Sequence, residues 1–265
     1  MKSNKTVSDL PPRRRAPAGD VPAPASGRIT QLKTTCRSCN LRELCVPCCG
    51  LSRAQRDIAE RMAFSRTRLR HGETLYRSGD RFSALYGVRY GFFKTLSLFE
   101  DGREQVTGFA ITGEILGTDG IAPEHHSCNA VALEDSEVCV IPFAGLLQLA
   151  QELPGLQRHF NNMMSREIVR EQGMLLQLGS MNAEERLAML LLEMSRRYAA
   201  HGYSGSEFNL RMTREEMGSY LGLKLETVSR TLSRFQDEGL IAVQLKLVRI
   251  LDRLRLEQVL GRDLN

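Results

Sequence analysis

The stretch from Thr213 to Gly239, TREEMGSYLGLKLETVSRTLSRFQDEG, decides how the rest of the chain is read. Thr213 followed by Glu216 is a capping box: the hydroxyl takes the Glu216 amide and the carboxylate returns to the Thr213 amide, which starts a helix through Met217, Tyr220 and Leu221. Gly222 then breaks the chain. A further helix is expected from about Leu225 to Asp237, ending at Gly239, with Val228, Leu232 and Phe235 inward and Glu226, Thr227, Ser229 and Arg230 on the polar face. Leu240 to Leu251 alternates well enough for a small hairpin. Two helices about a glycine turn, followed by a hairpin wing, form the unit that lays its second helix in the major groove of double-stranded DNA. Arg230 has the planar fork that matches O6 and N7 of guanine, Glu226 can accept from an exocyclic amine, and Ser229 can meet a base or a phosphate. Spacing alone allows the alternative that Glu226 and Arg230, four apart, form a surface ion pair.

Moving towards the amino terminus, Asn182 with Glu185 makes a second capping box ahead of Leu187, Leu190, Leu191 and Met194. Before it, the chain reads as helix from Pro154 to Gly179. Asn161, Met164, Ile168, Glu171, Leu175 and Leu178 recur every 3.5 residues in a seam of the coiled-coil kind. The polar residues beside that seam, Arg158, Arg166, Glu167, Arg170 and Gln172, favour a homodimer interface over a helix buried on all sides. Met164, Ile168, Glu171 and Leu175 are the expected contact positions. In a two-fold pair the Glu171 carboxylates would face each other, which weakens the seam.

From Arg68 to Phe143 short apolar and β-branched runs alternate with glycine turns, as in a β-roll or barrel, and Val138 to Ile141 reads as its last strand, stopped by Pro142. Met1 to about Thr35 is rich in Pro, Ala, Ser and Arg without a period and reads as a disordered tail, while Ser52 caps a short helix carrying Ile58, Ala59 and Met62. The expected organisation is α+β: tail 1–35, β-roll sensor domain with its cysteine loop 36–155, dimerisation helix 156–180, and winged helix-turn-helix 181–265.

The chain has 265 residues, 42% hydrophobic and 25% charged, with a formal charge of +5, which permits nucleic acid as a partner without requiring it. No apolar run approaches the ~18 residues of a membrane span and the amino terminus lacks a secretory core, so a cytoplasmic protein is expected. In that compartment seven cysteines point to metal or redox chemistry rather than disulfides. Cys36, Cys39 and Cys45 lie within one short loop, close enough to wrap a soft metal centre. If Cys48 is the fourth ligand, the site is a compact zinc knuckle; if a remote strand supplies it, the loop is tied to the β-roll and an iron–sulfur cluster suits the site. Spacing leaves both open and does not fix the roles of Cys48, Cys49 and Cys128.

The segment Thr213–Leu223 with Glu226-Thr227-Val228-Ser229-Arg230 resembles the helix-turn-helix of the CRP/FNR superfamily, and its E-x-x-S-R arrangement is similar to the FNR branch. The resemblance runs from about Cys36 to the wing. It implies base reading by Glu226, Ser229 and Arg230 at TTGAT-type half-sites of a palindrome. It also implies a 4Fe-4S cluster held by the cysteine triplet and a fourth cysteine before an Ile-Pro-Phe strand end. Ser136 to Phe143, SEVCVIPF, looks like that segment, so Cys36, Cys39, Cys45 and Cys139 are the implied ligands. An oxygen-responsive transcription regulator, active as a homodimer and in contact with RNA polymerase, follows from the resemblance. Gly113-Glu114-Ile115-Leu116-Gly117 resembles the turn of cyclic-nucleotide domains, but residues 123–130 offer no arginine for a cyclic phosphate, so no cyclic nucleotide is expected. An iron–sulfur electron-transfer protein is the rival from another class. It finds no second cysteine group, no dinucleotide glycine loop and no nucleophile with its base, so no enzymatic activity is expected.

Overall fold

The computed structural model describes residues 65–99, 101–152 and 154–261. The tail, the Cys36, Cys39 and Cys45 triplet, Cys48, Cys49 and the helix expected after Ser52 lie outside the described residues.

Eight strands form the first unit: β1 (Ser65–Leu69), β2 (Thr74–Tyr76), β3 (Ala84–Tyr90), β4 (Phe92–Leu98), β5 (Glu104–Ile111), β6 (Ile115–Leu116), β7 (Asn129–Ala132) and β8 (Ser136–Pro142). They make two four-stranded antiparallel sheets, ordered β1-β8-β3-β6 and β2-β7-β4-β5. The two inner faces share one core, in which Leu69, Val88 and Val138 from the first sheet meet Tyr76, Phe93 and Ala130 from the second. This is the expected β-roll. Glycines at positive φ close its turns, and Gly91 is the tightest: a Cβ there would stand 2.0 Å from the Ser136 hydroxyl oxygen.

The last strand leads directly into α1 (Phe143–Glu152), followed by α2 (Pro154–Ser180) and α3 (Ala183–Ala200). Asn182 caps α3 as its sequence requires, its Oδ1 accepting from the Glu184 and Glu185 amides at 2.9 and 3.1 Å. Then come β9 (Glu207–Asn209), α4 (Arg214–Leu221), α5 (Leu225–Asp237), β10 (Ile241–Gln244), β11 (Leu247–Ile250) and α6 (Arg253–Gln258). The wing is a three-stranded sheet ordered β10-β11-β9, one strand more than the hairpin expected.

The two units do not hang apart. Phe92, Phe109 and Ile111 of the roll share a hydrophobic cluster with Leu191, Tyr220 and Phe235 of the helical part. Polar contacts cross the same boundary: the Lys94 Nζ donates to Glu216 Oε1 at 2.7 Å, the Val106 amide to the Ser219 hydroxyl at 2.9 Å, and Arg211 pairs with Glu134 at 2.8 Å. The first helix of the expected helix-turn-helix, α4, is thereby seated against β5.

Candidate nucleic-acid interface and sensor site

The turn between α4 and α5 follows from two glycines. Gly222 takes φ +64°, and its amide reaches back to the Gly218 and Ser219 carbonyls. Gly218 is needed because a Cβ there would lie 2.6 Å from the Leu223 carbonyl oxygen. Thr213 and Glu216 form the capping box read from the sequence, with the Glu216 amide 3.1 Å from the hydroxyl and the Thr213 amide 2.7 Å from the carboxylate. Burial pushes the Glu216 carboxyl up, but hydrogen bonds from Lys94 and the Thr213 amide outweigh it, and the group stays below the usual glutamate range.

On α5, Val228, Leu232 and Phe235 are buried, as helical spacing required. Glu226 and Arg230 are exposed on the opposite side and Ser229 is half-buried. Among the described residues no ion pair joins Glu226 to Arg230; one turn further on, Arg234 takes Glu238 at 2.8 Å and pairs with Glu184. The Ser229 hydroxyl lies 3.4 Å from the guanidinium of Arg214 on α4, a neighbour that sequence reading had not brought to this surface. The face of α5 that would meet base edges is therefore polar and outward.

On α2, Ile168, Val169, Leu175 and Leu176 are between 52% and 71% exposed. Glu171 is exposed beside them and Met164 is half-buried. Among the described residues, this 27-residue helix has an apolar side without a cover.

Cys139 sits on β8 opposite Arg66 of β1 and Gly87 of β3. Alternation along the strand puts Glu137, Cys139 and Ile141 on the outer face of the sheet, away from Val138 in the roll interior. There Cys139 is buried in a cluster with Leu85 and Ile141 of the sheet, Leu146 and Leu149 of α1, and Leu156 of α2. Gly87 contributes no side chain beside the sulfur. The same face carries Glu137, which accepts from Arg68 at 2.9 Å and Arg89 at 2.5 Å, with Arg66 at 3.9 Å. Among the described residues no three His, Cys, Asp or Glu side chains gather as a metal site, at Cys139 or elsewhere. Cys128, the other buried cysteine described, lies near Asp119; burial first and that carboxylate second push its thiol up to about 12, which leaves it protonated and unreactive.

A groove of about 1290 Å³ runs between α2, the Gly113–Glu114 turn and α3. Glu114, on that turn, receives two hydrogen bonds from Arg197 of α3, at 2.7 and 2.5 Å, while the same guanidinium donates to the Phe109 carbonyl. Burial raises the Glu114 carboxyl, and the Arg197 charge and hydrogen bonds bring it below the ordinary range. No described helix is long and apolar enough to cross a membrane.

Comparison with known proteins gives two family matches: a cyclic nucleotide-binding domain over residues 66–152 and a Crp-like helix-turn-helix domain over residues 185–259. The transcriptional regulatory protein Btr of Bordetella pertussis is 47% identical over 86% of this chain and 94% of its own length. The fumarate and nitrate reduction regulatory protein of Escherichia coli is 40% identical over 87% of this chain and 92% of its own. Among solved structures, FixK2 of Bradyrhizobium japonicum superposes with a TM-score of 0.68 at 29% identity, covering 74% of this chain and 96% of that one.

Proposed function

Because the chain belongs to the CRP/FNR family of transcription regulators, we propose that it is an oxygen-responsive regulator whose DNA affinity depends on a 4Fe-4S cluster held by Cys36, Cys39, Cys45 and Cys139. Two copies pair along Met164, Ile168, Glu171 and Leu175, and each reads a TTGAT-type half-site with Glu226, Ser229 and Arg230. RNA polymerase contact and the boundaries 1–35, 36–155, 156–180 and 181–265 belong to the same reading.

One observation carries it. Cys139 shares its packing cluster with Leu156 at the start of α2, so whatever is attached to that sulfur bears on the helix that presents the unpaired apolar side. The donor chemistry fits: a thiol on the outer face beside a glycine accepts a bulky soft centre, and a set of four cysteines suits iron and sulfide. When bound, such a cluster supplies an oxygen-labile fastening between the amino-terminal loop and the sheet. The chain's own residues do the rest. Ile141, Leu146 and Leu149 transmit the position of β8 to α1 and α2, and the exposed aliphatic side chains of α2 gain a cover on pairing. The two α5 helices are then spaced for a two-fold site.

A cyclic nucleotide is no part of this reading. Arg197 already occupies the Glu114 carboxylate, and residues 123–130 contain no arginine to meet a phosphate.

Protein purified without oxygen should absorb broadly in the visible through sulfur-to-iron charge transfer, contain iron and acid-labile sulfide in equal amounts, and bleach in air as its affinity for a palindromic site falls. Colourless protein containing zinc, or full operator affinity without sulfide, would overturn the proposal.

A further inference from the structure

We infer that the β-roll positions the DNA-reading unit of its own chain, with Lys94, Glu134 and the Val106 amide holding α4 so that α5 meets DNA in one pose. The inference rests on the reading of α5 given above.

Among the described strands β5 ends its sheet, and its pairing with β4 slips at Thr107: Thr95 faces Gly108 and Leu96 faces Val106. An outer strand leaves backbone groups over, and a helix end does the same with its last carbonyls. Here the two are joined at Ser219. The Val106 amide donates to its hydroxyl at 2.9 Å, and the Gln105 side-chain amide donates to its carbonyl. One turn earlier on α4, Glu216 accepts from Lys94 at 2.7 Å. The two side chains are only 15% and 17% exposed, so water screens this ion pair weakly. The Tyr220 ring packs on Phe109 of β5 with centroids 5.1 Å apart, and ahead of the helix Arg211 pairs with Glu134 at 2.8 Å.

α4 has eight residues, about 12 Å of helix, and it is held before its start, in its first turn and in its last. Fixed at three levels, it keeps one orientation on the roll. The bend at Gly218 and Gly222 passes that orientation to α5. Glu226 and Arg230 stay exposed, so the contact aims the reading face without masking it. In a two-fold complex both reading helices must enter grooves about 34 Å apart at once. A head that swings loses that freedom on binding, at a cost in affinity, whereas a seated head is already ordered. None of these groups lies on α2, so positioning and pairing are separable.

The test uses full chains prepared without oxygen and compares wild type with Glu134→Arg, Arg211→Glu, the exchanged pair carrying both changes, Lys94→Met and Lys94→Arg. The readouts are affinity for the palindromic site, affinity for random DNA at the same salt, and sedimentation. Glu134→Arg adds a positive charge, which by electrostatics alone tightens DNA binding. Positioning predicts the opposite: a loss of about tenfold on the palindrome from the clash with Arg211, with random-DNA affinity and dimer fraction kept. Arg211→Glu should lose more on the palindrome than on random DNA, and the exchanged pair should return to within about threefold of wild type. Lys94→Met should weaken palindrome binding and Lys94→Arg should keep it. If neither single charge reversal folds in a urea melt, the two Lys94 variants decide. Palindrome affinity in Glu134→Arg at or above wild type, an exchanged pair no better than the weaker single variant, equal affinities in Lys94→Met and Lys94→Arg, or losses matched by loss of dimer would overturn the inference and leave the cluster and base-reading proposals standing. A wild type with no preference for the palindrome removes the base-reading proposal and this inference together.

Discussion

At the bend between α4 and α5, one missing methyl group governs the angle at which the reading helix is presented. A Cβ on Gly218 would press on the Leu223 carbonyl at 2.6 Å, and backbone has little room to retreat. Gly218→Ala should therefore cost about 1–3 kcal/mol, the usual range for overpacking, seen as a lower urea midpoint at unchanged slope; an unaltered midpoint would show that the bend relaxes freely. Arg230 behaves differently, because it is exposed and joined to no acidic partner among the described residues. Arg230→Ala should leave the melt unchanged and weaken binding to the palindromic site by about 1–3 kcal/mol. An equal loss on random DNA, measured at fixed salt, would make Arg230 a phosphate contact instead.

For α4 the decisive residue is Glu216, which closes the capping box and also receives Lys94 from the roll. Its carboxyl is held below the ordinary value of about 4.3. The contact therefore contributes fully above that range and is lost as pH falls through the lower folded value. Glu216→Gln should be about 1–3 kcal/mol less stable than wild type at neutral pH, and urea melts should show the gap closing below about pH 4. A gap of constant size at every pH would locate the effect in shape rather than charge. The cap itself was legible in sequence, because its partners are three residues apart. Its second partner was not, since Lys94 lies 122 positions away and only folding brings it near. The same distinction sorts the other elements. α4 and α5 were read within a residue or two of their bounds, and α3 was read from its Asn182 cap, but its run beyond Met194 to Ala200 was not. β9 spans three residues and exists through pairing with β11, so no pattern of its own announces it. α1 follows Pro142 directly without a capping residue and was missed. α6 was also missed, although Asp252 caps it by accepting the Arg255 amide at 3.0 Å, a signal that was present. For the proposed cluster site, the family resemblance rather than spacing pointed to Cys139, and the parity that puts it over α1 and Leu156 required the strand register.

In the whole molecule, the pairing proposed above depends on how the exposed apolar side of α2 is covered. Leu175→Glu should abolish pairing and specific DNA binding while leaving the melt of the single chain near wild type, because Leu175 is 71% exposed. Glu171→Ala should shift sedimentation towards dimer even without cofactor, by removing a like-charge meeting across the two-fold axis; identical profiles would take Glu171 out of the seam. The same aliphatic row affects the fate of the solitary chain. Bare leucines on a long exposed helix are what quality-control proteases and sticky surfaces recognise. Copies left single should therefore be shorter-lived than copies in pairs, and the signal that governs promoter occupancy would also govern how much of the regulator the cell retains.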